Sequence, residues 1–475
     1  MKKLFLIFIV AIIYFSIAGC SSKKDRFDGE SIDKFQKDIE DIDEQKPIET
    51  VTPAADDDTI IVWCITSELY DIVNKFIETH PDFDYKIKIN SFATMDVDYE
   101  KLLYETLRKG HLSLYDFEVP DIYSVEMSYV ARFTQGDAYQ YSADYKELGI
   151  DVDRLPRDAE IPEYYVEIGT NPEGKLMGLG YHNTSGAFIY RRSIAKEVWG
   201  TDEPSIINDI IGPGWDKFFE AAEDLKEKGF GICSGIEDIW HMVKNSADLG
   251  WVLDGKLYID PKREAFLDYA YKLVENDYTN NTKAWSDAWY QDMKGEGEKD
   301  ILGFFGPSWL VNYVIMPYCG GETIGEGTYG DWAISNAPLD FFWGGSMVMA
   351  RKDTKHKEAV GEILEWITLD TSETGLQELW ASEEFYPGVK EIPAATKVAK
   401  RHENRMDFLG GQDIFEAYIS AGYHTSGNNS TMYDVSIDGY WLEQVHEYVN
   451  GGKTREEAIA DFKELVDERT DVVVE

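Results

Sequence analysis

The sequence has few cysteines and none of the short motifs that mark common enzyme classes. Its 475 residues include 4 cysteines, with neither a CxxC spacing nor a paired metal-ligand pattern. If Cys20 is modified, the remaining Cys64, Cys233 and Cys319 cannot all pair, so a disulfide framework is excluded. The chain also contains no G-x-S-x-G, no H-E-x-x-H and no P-loop. We therefore predict no cofactor and no metal, and we expect buried packing for Cys64, which lies in an apolar run.

One glycine-rich segment, Gly325–Gly330, matches G-x-G-x-x-G. A dinucleotide-binding motif follows a strand and opens a helix. Here Gly320-Gly321-Glu322 precedes the segment and the strand-like Asp331–Ile334 follows it. This order predicts a flexible loop.

Basic residues are scarce relative to acidic ones. Lys and Arg total 46 against 89 Asp and Glu, which gives a formal charge of −43. Such a field repels phosphate backbones and anionic head groups, so nucleic acid is excluded as a partner. Neutral ligands are unaffected and cationic ligands are favoured, although a solvated acidic surface would also keep an exported protein soluble. The 13 Trp and 29 Tyr residues are available for a binding surface as well as for a core.

The N-terminus has the pattern of a secretory signal. Lys2 and Lys3 precede an apolar run from Leu4 to Ile17, and Ala18-Gly19-Cys20 follows. This end resembles the lipobox of bacterial lipoproteins, which implies a signal peptide over 1–19, lipid on Cys20 and a location on the extracellular face of the cell membrane. A plain signal peptide or one transmembrane helix is the alternative. Residues 20–58 are polar and acidic and predict a tether.

The folded part begins with an alternation of strand and helix patterns. Thr59–Cys64 has the composition of a buried strand, and apolar residues at helical spacing follow until Pro81. Tyr85–Asn90 alternates as a second strand, so the segment predicts a parallel crossover unit and an α/β sheet. The pattern continues with a helix over 216–228 that ends at Gly229, a strand over 346–350, a helix over 355–369 and a capping box at Thr454 and Glu457.

Several blocks, in this order, resemble one family, the extracellular solute-binding proteins of carbohydrate ABC transporters (family 1). The blocks are Ile60–Trp63, Pro120–Tyr123, Gly186–Arg192, Pro213–Phe218, Phe304–Trp309, Asp331–Ala333, Phe342–Ser346, Ala359–Ile367 and Gly451–Ala458. Arg191 departs from the pattern, since the family usually has Asn there. Their shared order over residues 59–470, behind a lipobox, carries the resemblance.

The resemblance implies an α/β, two-lobed periplasmic-binding-protein-like fold (type II) whose lobes are joined by crossing hinge strands. Lobe 1 would comprise 59–180 and 343–385, and lobe 2 would comprise 181–342 and 386–475. It implies crossings near 180–187, near 338–343 and within 381–393, and permease subunits as partners. Ligands of open α/β sheets bind at strand carboxyl ends and at domain junctions, which agrees with a solute between the lobes.

The hydroxyls of a sugar form hydrogen bonds with carboxylates, and its flat C–H faces pack on aromatic rings. We therefore expect carboxylates and aromatic rings in the cleft. Trp63 ends the first strand, Glu68 lies in the first turn of the helix after it, and Glu126 follows the third strand, so we expect all three near the cleft, although Trp63 also suits a core. Trp285 and Trp289 are four residues apart and would share one face if helical, in the cleft or in the core. The resemblance adds candidates at the crossings, at the "G-x-W" block and in lobe 2. These are His182, Asn183, Glu237, Trp240, Trp309, Trp343 and Tyr433.

We predict a binding protein and not an enzyme: the substrate-binding component of an ABC importer, which captures a sugar, in particular an oligosaccharide. A secreted, lipid-anchored polysaccharide hydrolase or lyase is the enzymatic alternative, but among 89 acidic residues no carboxylate pair stands out. A polyamine-binding transporter component also remains open, as does a sugar-capturing surface protein without a permease. The sequence does not identify the sugar.

Overall fold

A computed structural model describes residues 58–95, 97–110, 117–421 and 425–475. The predicted signal peptide, the lipid on Cys20 and the tether, apart from Asp58, lie outside the described residues. In chain order the strands are β1 (Thr59–Cys64), β2 (Lys86–Ser91), β3 (Ile122–Glu126), β4 (Gly178–Gly180), β5 (Ala187–Arg191), β6 (Val252–Leu253), β7 (Lys256–Leu257), β8 (Gly303–Gly306), β9 (Trp332–Ser335), β10 (Ser346–Ala350), β11 (Arg405–Met406) and β12 (Gln412–Asp413).

Helices pack against strands of both larger sheets. They span Ser67–Thr79, Tyr99–Lys109, Met127–Thr134, Leu155–Ala159, Glu163–Gly169, Arg192–Trp199, Pro204–Ile211, Trp215–Glu227, Trp240–Ser246, Pro261–Glu264, Phe266–Glu275, Asp287–Lys294, Ser308–Leu310, Met316–Tyr318, Lys357–Thr368, Leu376–Ala381, Thr396–Ala399, Ile414–Ala421, Asp434–Val449 and Arg455–Arg469, with a π-helical stretch over Val311–Ile315. None of the helices in the described ranges combines the length and the apolar character that a membrane crossing needs.

The first sheet has five strands in the order β2-β1-β3-β10-β4. β1 pairs in parallel with β2 and β3, and β10 runs antiparallel to β3 and β4. The helix between β1 and β2 starts where the Thr66 side chain accepts a hydrogen bond from the backbone N–H of Leu69. Its Leu69, Ile72 and Phe76 side chains are buried. Because this helix joins two parallel strands, the predicted crossover unit is confirmed.

The second sheet has three antiparallel strands in the order β8-β5-β9. Phe188 and Tyr190 of β5 pack into one hydrophobic cluster, and Ala187 and Ile189 pack into the other. Because successive strand residues point to opposite faces, this sheet is buried on both sides. The apolar composition of β5 follows from that position.

Three segments of the chain lie side by side between the two sheets, and we call them the crossing segments. The first crossing segment, residues 181–186, joins β4 to β5 and lies in the middle. The second comprises residues 341–343 and the third comprises residues 391–393. On one side the N–H of Trp343 donates to the Thr184 carbonyl over 3.0 Å, and on the other the N–H of Asn183 donates to the Ile392 carbonyl over 2.8 Å. This arrangement fits the predicted hinge, and the two-lobed α/β class is confirmed. The lobe boundaries stay a prediction.

Most predicted local elements are present at nearly the predicted bounds. The helix expected over 216–228 spans Trp215–Glu227, with Gly229 at a φ of +86°, and the capping box of Thr454 and Glu457 is formed. Gly325–Gly330 lies in a loop of turns, as expected. Cys64, Cys233 and Cys319 are free and buried. Trp285, however, is not helical: its φ is +66° and the helix begins at Asp287.

Candidate functional site

Three indole rings from distant parts of the chain meet beside the crossing segments, and we call them the indole cluster: Trp285, Trp309 and Trp343. The Trp309 and Trp343 ring centroids are 4.8 Å apart and steeply inclined, and Trp285 lies nearly parallel to Trp309 at 6.3 Å. The Trp309 Nε1–H donates to the Trp343 carbonyl over 3.0 Å. Trp309 is 8% exposed, and the other two rings are half-buried. The cluster is therefore fixed in place and still offers ring surface to a ligand.

Each indole is positioned by a different local feature. Trp309 lies in the short helix that follows β8 and Pro307, directly before the π-helical stretch, a distortion that is frequent at functional sites. Trp343 belongs to the second crossing segment. Trp285 adopts a left-handed backbone immediately before Ser286, whose side chain caps the next helix by accepting from the Trp289 N–H.

Gly344 and Gly345 follow Trp343 and allow the backbone there to lie close to neighbouring side chains. Gly344 has a φ of +66° and Gly345 a φ of +97°, conformations that residues with a Cβ rarely adopt. A Cβ on Gly345 would lie 2.6 Å from Thr184 Cγ2. The Gly345 carbonyl accepts a hydrogen bond from the Met127 N–H over 2.8 Å. The glycine pair thus joins the first sheet, the first crossing segment and the indole cluster.

A cluster of ionisable side chains lies on the other side of this glycine pair: Glu68, His182 and Glu391. His182 Nδ1 is 3.6 Å from Glu68 Oε1, and His182 Nε2 is 3.9 Å from Glu391 Oε1. The Tyr313 hydroxyl donates to Glu391 Oε2 over 2.9 Å. All three ionisable side chains are buried.

Burial shifts the titration of all three groups. It raises the pKa of Glu68 to about 7 and, together with the Glu68 charge, raises the pKa of Glu391 well above its usual range. Burial lowers the pKa of His182 to about 4. At neutral pH the imidazole is therefore uncharged and supplies no positive charge to the carboxyl groups.

Three other predicted tryptophans lie in the hydrophobic packing. Trp63 is fully buried in β1, where its Nε1–H donates to the Glu118 carbonyl over 3.0 Å. Trp240 packs against Trp251 and Phe266. Trp289 donates to Asp238 Oδ1 over 3.1 Å and contacts Trp285, with ring centroids 5.0 Å apart. These contacts give each ring a packing role, and ligand binding by them stays a prediction.

The remaining predicted polar residues have local partners. Glu126 caps the Met127–Thr134 helix by accepting from the Ser128 N–H over 2.8 Å. Asn183 accepts from the Ser185 N–H over 2.8 Å within the first crossing segment. Glu237 Oε1 lies 2.6 Å from His446 Nε2. Tyr433 is half-buried next to the Asp434–Val449 helix. Their roles in binding also stay predictions.

Sequence reasoning missed three residues at this location: Glu391, Tyr313 and His241. The His241 ring stacks on Trp343 with centroids 4.4 Å apart. Tyr313 lies four residues after Trp309 in a helical segment, a spacing that places both on one face and could have pointed to it. Glu391 precedes Ile392-Pro393 and belongs to no motif, so its only signal was the expected crossing within 381–393.

A surface cavity of about 410 Å³ lies elsewhere, beside the Glu163–Gly169 helix. It is lined by Gln135, Glu163, Val166, Glu167, Thr170, Asn171, Pro172 and Asn428. It contains none of the predicted site residues. The crossing segments bring together more of the predicted chemistry and remain our candidate site.

Comparisons with known proteins agree with this architecture. Residues 113–406 match the family model described as bacterial extracellular solute-binding protein. Among solved structures, a protein titled extracellular solute-binding protein family 1 is similar with a TM-score of 0.69 and 16% identity, covering 86% of this chain and 99% of that one. No curated protein matches the chain.

Two further similar structures come from named organisms. The galacto-N-biose-/lacto-N-biose I-binding protein from Bifidobacterium longum, in complex with lacto-N-biose, has a TM-score of 0.61 at 18% identity and covers 86% and 96% of the two chains. The sugar-binding protein MalE from Xanthomonas citri has a TM-score of 0.63 at 13% identity and covers 87% and 96%. At these identities the likeness shows the fold.

Proposed function

We propose a transport function on the premise that this chain belongs to the bacterial extracellular solute-binding protein family, whose model it matches over residues 113–406. In this proposal the chain is the substrate-binding component of an ABC importer. It captures a sugar, in particular an oligosaccharide, between its two sheets and delivers it to permease subunits in the membrane.

The observation that carries the proposal is the convergence of Trp285, Trp309 and Trp343 beside the crossing segments. Sugar C–H faces pack on aromatic rings, and a pair of inclined rings offers surfaces for more than one sugar unit. Proteins of similar fold are titled as complexes with lacto-N-biose and with beta-1,6-galactobiose. Their ligands support a sugar as the solute of this chain.

The mechanism follows from the three crossing segments. They are the connections between the sheets, so a change in their backbone angles moves one lobe relative to the other. A solute that contacts both lobes stabilises the closed arrangement by its differential affinity. Binding and closure need no covalent chemistry. An affinity near micromolar requires only about 8 kcal/mol, which stacked rings and a few hydroxyl contacts supply.

The family acts on the outer side of the cell membrane. Within that location, we place the chain on the membrane surface through lipid on Cys20, with residues 20–58 as a tether. Ligand capture and not catalysis is its role. Burial raises the pKa of the Cys64 and Cys233 thiols well above the usual value, so neither is available as a thiolate nucleophile.

Substitution of the indole cluster tests the proposal. A thermal-shift screen of mono- and oligosaccharides first identifies a sugar that raises the melting temperature. Calorimetric titration of that sugar into Trp309→Ala and Trp343→Ala should give affinities weaker by about tenfold or more, equivalent to about 1.4 kcal/mol. Trp199→Ala is the matched control, because this half-buried indole bonds to Asp224 and lies outside the cluster.

Removal of a large aromatic side chain costs about 3–5 kcal/mol of stability when it is buried. Each variant therefore needs a circular dichroism melt to establish that it is folded at the titration temperature. Folded Trp309→Ala and Trp343→Ala proteins with unchanged affinity would refute the assignment of the site.

A polyamine is the second candidate solute, because the formal charge of −43 favours cations. Spermidine in the same screen distinguishes the two: a melting-temperature increase with spermidine and none with any sugar would replace the sugar proposal. Release of reducing ends from polysaccharides by the purified protein would instead support the hydrolase or lyase alternative.

A further inference from the structure

Glu68, His182 and Glu391 come from three separate parts of the chain and meet at one buried point. Glu68 lies in the first turn of the Ser67–Thr79 helix, His182 on the first crossing segment and Glu391 on the third. Their relative exposures are 3%, 6% and 1%. One ligand atom from each lies within 4.8 Å of the other two.

The atoms that face each other are not hydrogen-bonded. The distances of 3.6 and 3.9 Å from the imidazole nitrogens to the carboxylate oxygens exceed the usual 2.7–3.2 Å range. Among the described residues, His182 Nδ1 and Glu391 Oε1 have no hydrogen-bond partner although both are buried. Buried polar atoms are nearly always satisfied, so two unsatisfied atoms within one buried cluster of three ligand-type side chains indicate a missing polar partner there.

Among the described residues, no Lys or Arg nitrogen lies within 4.0 Å of Glu68 or Glu391, and the His182 imidazole is the only ionisable group with a nitrogen that does. Two carboxylates and one imidazole nitrogen are a ligand set that a divalent transition metal accepts.

We propose that Glu68, His182 and Glu391 bind one divalent transition-metal ion of the Zn²⁺ class. The separation of 3.6 Å between His182 Nδ1 and Glu68 Oε1 is what two ligands show when each lies about 2.0–2.2 Å from a shared ion. The Tyr313 hydroxyl holds the second oxygen of Glu391 over 2.9 Å and thereby orients the carboxylate.

Three protein ligands leave the fourth position of a tetrahedral ion for a water molecule. The ion would also connect the Ser67–Thr79 helix to two crossing segments. Its binding does not depend on which solute the cleft takes.

Metal binding by the full-length mature chain tests the proposal. The protein is purified without a metal-affinity tag, stripped with a chelator and titrated by calorimetry with Zn²⁺, Mn²⁺, Ca²⁺ and Mg²⁺, and bound metal is measured by mass spectrometry. We expect one Zn²⁺ per chain, weaker Mn²⁺ binding, no Ca²⁺ or Mg²⁺ binding at the same concentrations, and a melting temperature that rises with Zn²⁺.

Glu391→Gln keeps the side-chain volume and removes one ligand charge, and His182→Asn removes the imidazole. Each should weaken Zn²⁺ binding by at least about tenfold. The matched control is Glu378→Gln, which alters a Glu–His pair in which Glu378 Oε1 lies 2.6 Å from His402 Nε2, and it should bind Zn²⁺ like the wild type.

Several results would overturn the proposal: no stoichiometric Zn²⁺ on the wild type, or Zn²⁺ affinities of Glu391→Gln and His182→Asn equal to that of the wild type. A melt in the absence of metal establishes that each variant is folded. If one variant is unfolded, the other still decides the outcome, and the stoichiometry of the wild type decides it alone. Sugar titrations are independent of these readouts, so failure of the metal site leaves the sugar proposal standing.

Discussion

Substitution of Gly345 by alanine should destabilise the protein more than the same substitution at a glycine whose added Cβ would have no atom within 4 Å. The new Cβ would meet Thr184 Cγ2 at 2.6 Å. Thr184 cannot move easily, because its hydroxyl lies 3.2 Å from the hydroxyls of both Tyr164 and Tyr165. Gly345 cannot move easily either, since its carbonyl accepts from the Met127 N–H.

Two effects add up in the loss of stability expected for Gly345→Ala. A non-glycine residue at the Gly345 φ of +97° stores about 1–3 kcal/mol of backbone strain, and overpacking adds about 1–3 kcal/mol. Gly345→Ala should therefore lower the free energy of unfolding by roughly 2–6 kcal/mol. Gly344→Ala should cost only about 1–2 kcal/mol, because its nearest neighbour, Trp309 Cζ2, is 3.5 Å away and φ is +66°.

Gly439→Ala is the matched control. Gly439 lies inside the Asp434–Val449 helix, and nothing lies within 4 Å of its added Cβ. The change should stabilise the protein by about 0.5–1 kcal/mol, because alanine favours the helix. Urea unfolding followed by tryptophan fluorescence gives the three midpoints and their slopes. Equal midpoints for Gly345→Ala and Gly439→Ala would show that the backbone angle and the contact with Thr184 do not require glycine at position 345.

Two further predictions concern stability alone. Burial raises the pKa of Glu100 from 4.5 to about 8. Between these two pH values the folded state keeps a proton on Glu100 that the unfolded chain has lost. The free energy of unfolding is therefore highest below pH 4.5 and falls as pH rises toward 8, by at most about 1.4 kcal/mol per pH unit. Urea unfolding at several pH values should show that loss in the wild type and not in Glu100→Gln, and parallel pH profiles for the two proteins would contradict it. Thr454→Ala removes the side chain that accepts from the Glu457 N–H at the start of the Arg455–Arg469 helix, and it should cost about 1 kcal/mol. In the same unfolding assay Thr454→Ser should restore most of that stability, and a serine variant as unstable as the alanine variant would argue against the cap.

Local patterns predicted the parts of the fold that depend on neighbouring residues. The apolar run of β1, the helical spacing from Leu69 to Phe76 and the Thr454–Glu457 pair each specify structure within a few residues. The order of family blocks added what local patterns cannot supply, namely that the chain crosses between two sheets.

The site was predicted less completely because it depends on packing between distant segments. Trp309 and Trp343 were chosen from their blocks, and their rings are in contact. Trp63 was chosen from its place at the end of a strand and Trp240 from its match to the family, but both rings are buried in the hydrophobic clusters. No local signal separates an indole that faces the crossing segments from one that faces away. Glu391 meets His182 only through the pairing of the first and third crossing segments, which a single sequence does not reveal.

A sugar should bind between the two lobes and close them. This closure can be measured by small-angle scattering of the chain with and without the sugar identified by the thermal-shift screen. We expect a smaller radius of gyration at saturating sugar, since the ligand stabilises the closed arrangement. A radius of gyration that does not change while calorimetry shows the sugar to be bound would contradict it.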